Sequence, residues 1–205
     1  MNKKKIILVV LFIILLILIA IILRKYIIIN NLQEKVKTYI ASTNYNVKST
    51  KNENGAIFTY DYSKKDNKTA YFIKNNDSEL LIYDNGNGIN CYTQVGENKI
   101  LTHEEQLPNG GIVNFLNTGY NGFQTFINMI KTNIKSTQIN GKDCYLIKNY
   151  ADLENVEIYI EKETGLCIQY IETNTKTTVN YSYEFNNVKD EIFIEPDANQ
   201  YKEEK

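Results

Sequence analysis

VEIYIEKETGLCIQYIETN, residues 156–174, decides the fold because its residue order alone predicts a β-hairpin. Apolar and polar residues alternate on both sides of the turn EKETG, which is the period of a strand with one buried face. Gly165 ends that turn, where a glycine tolerates a positive φ at no steric cost. The apolar positions on the two strands are Val156, Ile158, Ile160, Leu166, Ile168 and Tyr170.

The same period of two continues on both sides of this hairpin. CYLIKNY precedes it, and TTVNYSYEFNNV follows it, with Val179, Tyr181, Tyr183 and Phe185 on one face. Earlier segments separated by Asn-, Gly- and Lys-rich stretches predict five more strands, at 45–50, 56–63, 69–75, 79–84 and 89–95. Short strands at this spacing indicate an antiparallel meander.

Two segments have helical spacing instead. FQTFINMIKTNI (123–134) predicts an amphipathic helix, and NLQEKVKTYIAS (31–42) predicts a second one, which either continues from the apolar helix before it or follows a brief break at Asn30-Asn31. IVNFLNTG (112–119) is a candidate for a further, short helix. Hairpins on both sides of one helix predict an α+β fold, in which helices cover the concave face of a curved, half-barrel-like antiparallel sheet.

Residues 141–197 resemble the Lol-type lipoprotein-carrier superfamily, which includes periplasmic lipoprotein chaperones and sigma-factor regulators. GKDCYLIKNY is similar to that family's G-x-x-x-Y-x-I strand, and VEIYIEKETGLCIQYIET to its hairpin with a TG turn. YSYEFNNVKDEIFIEP resembles its closing strand and D-x-x-F-x-x-P ending, here Asp190, Phe193 and Pro196. The resemblance implies an unclosed barrel with helices over an apolar cavity that holds acyl chains or lipid-like ligands.

Residues 6–23, IILVVLFIILLILIAIIL, predict a transmembrane helix. The run has no charge and no Pro or Gly, and at 1.5 Å per residue it extends about 27 Å, close to the hydrocarbon thickness. Tyr26 suits an interface, and the span reaches residue 29 if the helix tilts. A cleaved signal is disfavoured because the run ends without an A-x-A site, so we expect an uncleaved signal anchor.

The flanking charges predict the orientation. Lys3, Lys4 and Lys5 precede the run, and Arg24 and Lys25 follow it, which favours an N-terminus inside the cell. We therefore predict a cytoplasmic basic tail at 1–5, a signal-anchor helix at 6–29, an extracytoplasmic domain at 31–197 and a polar tail at 198–205. The protein is expected in the cell membrane as a single-pass protein with its C-terminal domain outside.

The part beyond the span is acidic. Without the five basic residues around the run, 18 basic residues face 24 acidic ones, a net charge of about −6. An acidic domain is repelled by phosphate backbones, so no nucleic acid is expected as a partner. Cys91, Cys144 and Cys167 fall inside strand patterns, and Cys144 and Cys167 are predicted to lie two strands apart, too far for a disulfide.

No residue pattern indicates catalysis, a metal or a cofactor. His103, the only histidine, lies in the polar stretch LTHEEQLPNGG without a second ligand, and a Cys–His pair would require one of the strand cysteines to meet it. No phosphate-binding glycine loop or G-x-S-x-G motif is present. We therefore expect a protein that is not an enzyme and that needs no cofactor.

Sixteen tyrosines and eight phenylalanines, without any tryptophan, supply the candidate site. Rows of Tyr could pack the sheet or line an amphipathic cavity. The candidate lining is Tyr60, Tyr62, Phe123, Phe126, Ile127, Ile130, Tyr181, Tyr183 and Phe185.

The first hypothesis is a membrane-anchored binding module for a lipid-like ligand, a lipoprotein or a protein segment. The alternatives are a regulatory or protein-interaction ectodomain with a filled core, and an enzyme of unrecognised type.

Overall fold

The chain packs as two compact units. The computed structural model describes residues 3–86, 88–108, 110–151 and 153–204. The first unit comprises Met1–Val36 and Asn114–Leu166, and the second comprises Lys37–Val113 and Cys167–Lys205. The single domain that the sequence predicts over residues 31–197 stays a prediction. Met1 and Asn2 of the predicted basic tail, and Lys205 of the polar tail, lie outside the described residues.

Helix α1 (Lys3–Ile40) is continuous over 38 residues. Within the described residues it is the one helix long and apolar enough to cross a membrane. The amphipathic helix predicted at 31–42 is its continuation, without a break at Asn30 and Asn31. Ile29, Leu32 and Val36 are buried, so the end of α1 is part of the protein interior, including the last residue of the predicted span.

The first unit adds helix α2 (Gly122–Lys131) and strands β7 (Asn133–Ile139), β8 (Lys142–Tyr150) and β9 (Leu153–Glu161). The strands are antiparallel in the order β7-β8-β9. Ile147 faces Ile134 on one side and Ile158 on the other, and the side chains of Ile147 and Ile158 are buried. The alternation read from the sequence thus places the apolar residues of β9 in this core.

The second unit is a large, open antiparallel sheet. Its strands are β1 (Asn44–Glu53), β2 (Ala56–Lys65), β3 (Lys68–Lys74), β4 (Ser78–Asp84), β5 (Ile89–Val95), β6 (Asn98–Glu104), β10 (Cys167–Glu172), β11 (Thr177–Phe185) and the short β12 (Lys202–Glu203). Their spatial order is β12-β6-β5-β4-β3-β2-β1-β11-β10, and β12 pairs in parallel with β6. Asn54 and Gly55 both have positive φ at the β1–β2 turn, which is the backbone that a two-residue hairpin with the native twist needs.

The C-terminal segment covers one face of this sheet. Val188 and Phe193 pack with Ala70, Tyr83 and other buried residues of β3–β6. Two 3₁₀ turns, Asp190–Phe193 and Ala198–Gln200, lie in the segment. The Glu195 carboxylate accepts hydrogen bonds from Asn85 Nδ2 (2.6 Å), Asn90 Nδ2 (2.7 Å) and the Tyr92 hydroxyl (2.7 Å). The D-x-x-F-x-x-P ending therefore closes this face.

Several sequence predictions need correction. The amphipathic helix ends at Lys131 instead of residue 134, because β7 begins at Asn133, and residues 112–119 are irregular instead of helical. Strands β6 and β7 were not predicted. The coverage of the concave face by helices stays a prediction.

Candidate functional site

One face of the second unit carries a row of aromatic side chains. On β1, Val47 faces Tyr62 of β2 and Tyr183 of β11, while Ser49 faces Tyr60 and Tyr181. Because residues directly opposite each other point to the same face of an antiparallel sheet, all of these side chains lie together. The face opposite the one covered by the C-terminal segment is therefore rich in tyrosine.

A cavity of about 240 Å³ lies on this face. Its walls combine four tyrosine rings with three valines, and a loop of two glycines closes one side. The lining residues are Val47, Ser49, Lys51, Tyr60, Tyr62, Tyr71, Gly110, Gly111, Val113, Val179 and Tyr181. Lys51 pairs with Glu53 (Nζ–Oε2, 2.7 Å), so the one cation in the lining is already partnered.

Gly110 and Gly111 allow their loop to approach the tyrosines. A Cβ at Gly110 would lie 2.7 Å from Cε2 of Tyr62, and one at Gly111 would lie 2.7 Å from the hydroxyl oxygen of Tyr45. Gly111 also has a φ of +88°, which side-chain-bearing residues rarely adopt. Only glycines can hold the chain this close to the rings, so the Gly-Gly pair shapes the cavity.

Three buried phenols of this face have a raised pKa. Burial raises the pKa of Tyr71 and of Tyr181 above that of a free phenol, and it does the same to the pKa of Tyr45. These groups therefore supply apolar ring surface and uncharged hydroxyls at any physiological pH. The lining suits an uncharged, apolar part of a ligand.

The sequence-predicted lining divides into three groups. Tyr60, Tyr62 and Tyr181 line the cavity. Tyr183 and Phe185 continue the row, with stacked rings whose centroids are 6.5 Å apart, and the Tyr183 hydroxyl donates to the carbonyl of Cys167 at 2.7 Å. These two residues are not among those that line the cavity.

The residues of α2 form the third group. Phe123 is 74% exposed, Ile130 is 58% exposed, Ile127 is also exposed and Phe126 is half-buried, whereas Met129 is the buried residue of the helix. Lining by these four residues stays a prediction.

Eight of the eleven lining residues were not predicted from the sequence: Val47, Ser49, Lys51, Tyr71, Gly110, Gly111, Val113 and Val179. The alternation of apolar and polar residues assigns Tyr71 and Val179 each to one face of its strand, so the sequence could have predicted that both line the cavity. The loop gave no such signal because its glycines fit an ordinary turn equally well.

Cys91 and His103 lie on neighbouring strands but do not face each other. Cys91 faces Thr102 and His103 faces Asn90 across β5 and β6, so the two side chains point to opposite faces of the sheet. All three cysteines are buried thiols outside any disulfide, and the predicted separation of Cys144 and Cys167 stays a prediction. Burial raises the pKa of the Cys91 and Cys144 thiols, which keeps them in the unreactive protonated form. The described residues contain no cluster of three or more His, Cys, Asp or Glu side chains that could hold a metal.

Comparison with solved structures shows the fold. The chain is similar to an uncharacterized conserved protein from Thermus thermophilus, with a TM-score of 0.51 and 7% identity over 85% of this chain and 98% of that one. A DUF1329 family protein from Desulfovibrio piger is 9% identical over 82% of this chain and 96% of that one, with a TM-score of 0.32. MucB in complex with MucA(peri) is 10% identical over 80% of this chain and 57% of the MucB chain, with a TM-score of 0.37.

No protein-family profile matches the chain. No curated protein matches it either.

Proposed function

We propose that this protein is a membrane-anchored, extracytoplasmic and non-catalytic binding module that holds a lipid-like ligand in the tyrosine-lined cavity. The main support for this proposal is the cavity itself. Ligand sites are concave and mostly apolar with few polar groups, and this one offers aromatic and valine walls with neutral hydroxyls.

The size of the cavity limits the ligand. Pockets for drug-sized molecules have volumes of about 300–1,000 Å³, so about 240 Å³ suits one short acyl segment or one or two side chains of a peptide. The favoured ligand is amphipathic, with its apolar part against Val47, Val179 and Tyr62 and its polar part near Ser49 and Lys51. The acidic charge of the domain disfavours nucleic acid.

The anchor brings this site close to lipid. Helix α1 has the length and composition of a membrane span. The three lysines before the span favour a cytoplasmic N-terminus and an extracytoplasmic domain, at the surface of the cell membrane. A tethered site samples lipids or lipoproteins of one membrane without diffusing away.

A protein segment is the second candidate ligand, favoured by the same small volume. MucB has been seen in complex with MucA(peri), and a regulatory ectodomain of this chain would place an anchoring side chain of a partner in the cavity. The version of this hypothesis with a filled core is disfavoured by the cavity.

A cavity-filling substitution tests the proposal. Val179→Trp places a large ring in the cavity, whereas Val95→Trp changes a valine that is 51% exposed and does not line it. Purified full-length protein in detergent is titrated with a fluorescent fatty acid, and lipids that co-purify are identified by mass spectrometry. We expect Val179→Trp to lose binding of the fatty acid and the co-purified lipid, and Val95→Trp to retain both.

Equal binding by the two variants would exclude the cavity as the lipid site. If the unsubstituted protein binds no fatty acid and carries no lipid, the lipid-like ligand is wrong. A peptide from a co-purifying protein that competes at the same site would then establish the second candidate.

A further inference from the structure

The tyrosine cavity does not account for an exposed apolar stripe on helix α2. Phe123, Ile127 and Ile130 are 74%, 46% and 58% exposed, at positions that share one side of the helix. Asn121 and Gln124 form a capping box at the start of the helix, so the helix is well defined. A stable, short helix with three large apolar side chains in water needs a partner surface.

Lys25 fixes the position of α2 along helix α1. Its amine donates hydrogen bonds to the carbonyl oxygens of Met129 (3.1 Å) and Thr132 (2.6 Å), which belong to the C-terminal end of α2. These carbonyls lack partners within their own helix, and a cation is favourable at that end of its dipole. The hydroxyl of Thr132 donates to the carbonyl of Asn128 (2.7 Å), which also secures this end.

This contact places α2 at the level where the apolar run ends. Leu23, the last residue of the run, precedes Lys25 by two residues, which is about 3 Å along a helix axis. If α1 spans the bilayer, the hydrocarbon ends near Lys25. The last turn of α2 then lies no farther from that boundary than the length of one lysine side chain. The surface closest to the stripe is then the lipid itself.

The charge around α2 fits a lipid surface. From residue 106 to residue 141 the sequence contains no Asp or Glu, and its charged residues are Lys131 and Lys135, both exposed. This basic stretch lies in a domain with a net charge of about −6. Interfacial helices combine an apolar face of Phe or Leu type with nearby basic residues in this way.

We infer that α2 is an interfacial helix, whose Phe123, Ile127 and Ile130 insert into the outer leaflet beside the membrane span. The inference rests on the proposed function, because it requires α1 to cross the membrane. The span and the helix would then hold the first unit at two points, so that its orientation relative to the bilayer is fixed instead of swinging on a flexible tether.

Tryptophan substitution tests the depth of the helix, because the protein has no Trp of its own. Phe123→Trp and Ile130→Trp each place one indole on the stripe. Ile194→Trp is the matched control, since Ile194 is an apolar residue that is 69% exposed outside α2. Each full-length variant is reconstituted into liposomes of phosphatidylcholine and phosphatidylglycerol, with and without bromine on the acyl chains.

We expect both stripe variants to emit at shorter wavelength than the control and to lose their fluorescence on brominated lipid, at a depth of about 5–10 Å. Emission like that of the control overturns the inference. A blue shift without quenching by bromine also overturns it, because the stripe is then covered by protein, such as a second copy of this chain.

Alkaline extraction of the same liposomes separates the two proposals. A chain that stays with the lipid but has water-exposed indoles contradicts only the interfacial helix. A chain that is released contradicts the membrane anchor of the proposed function, and with it the interfacial helix.

Discussion

The turn of the central hairpin rests on helix α1, where a Cβ at Gly165 would lie 2.5 Å from the carbonyl oxygen of Leu32. Near it, the amine of Lys35 donates to the carbonyl of Lys162 at 2.5 Å. The glycine that the sequence reading assigned to a tight turn is thus also required by the helix beneath it.

Gly165→Ala is therefore expected to destabilise the protein more than Gly141→Ala. Both glycines have positive φ, +75° and +79°, but a Cβ at Gly141 meets nothing within 4 Å. The backbone strain costs about 1–2 kcal/mol at either site, and the overlap with α1 adds about 1–3 kcal/mol at Gly165. Urea unfolding of the detergent-solubilised protein, followed by circular dichroism, measures both. Equal losses would show that the turn does not press on the helix.

Helix α1 is expected to stabilise the first unit beyond any role as an anchor. Leu32 is 2% exposed whereas Ile27 is 56% exposed, on the same helix. Leu32→Ala should lower the free energy of unfolding by about 2–5 kcal/mol, and Ile27→Ala should change it by less than about 0.5 kcal/mol. The same urea experiment compares them. A small effect of Leu32→Ala would mean that the end of α1 is not part of the folded core.

The sequence predicted the parts of the fold that repeat. Alternation found β1–β5 and the hairpin of β9 and β10, because one buried face imposes a period of two. It missed β6, since Ile100 and Leu101 are adjacent apolar residues followed by the polar Thr102, His103 and Glu104, which breaks the alternation. It extended α2 into β7 because Ile134 continues the helical spacing. Of the site, Tyr60, Tyr62 and Tyr181 were found from alternation. The Gly-Gly loop was not, because its approach to Tyr62 depends on contacts distant in sequence.

The stability of the β8–β9 pair is expected to depend on pH through Glu157. Glu157 lies opposite Lys148, and the pKa of its carboxyl is lowered chiefly by the hydrogen bond from the Lys148 amine, with a second bond from the Tyr159 hydroxyl (3.0 Å). A carboxyl with a lowered folded-state pKa stabilises the protein above its unfolded pKa, near 4.5, and this stabilisation is lost as the pH falls through the lower folded value.

Glu157→Gln should therefore cost up to about 1 kcal/mol at pH 7 and nothing at a pH below the folded pKa. Urea unfolding of both proteins at the two pH values gives the difference. Glu154→Gln, at an exposed residue of the same strand, is the control and should show no such pH dependence. An identical pH dependence for Glu157→Gln and the unsubstituted protein would contradict the ion pair.

Gly110→Ala is expected to change both stability and ligand exchange. Its methyl would overlap the ring of Tyr62, whose Cε2 lies 2.7 Å from the added Cβ, and the backbone and ring must separate to accept it. We expect the free energy of unfolding to fall by about 1–3 kcal/mol and bound fatty acid to dissociate faster, because the loop that closes one side of the cavity is displaced.

Gly122→Ala is the matched control, since a Cβ there meets nothing within 4 Å and alanine suits the start of α2. Stopped-flow displacement of the fluorescent fatty acid and urea unfolding measure the two effects. If Gly110→Ala releases the probe at the rate of the control and unfolds at the same urea concentration, the loop does not close the cavity over Tyr62.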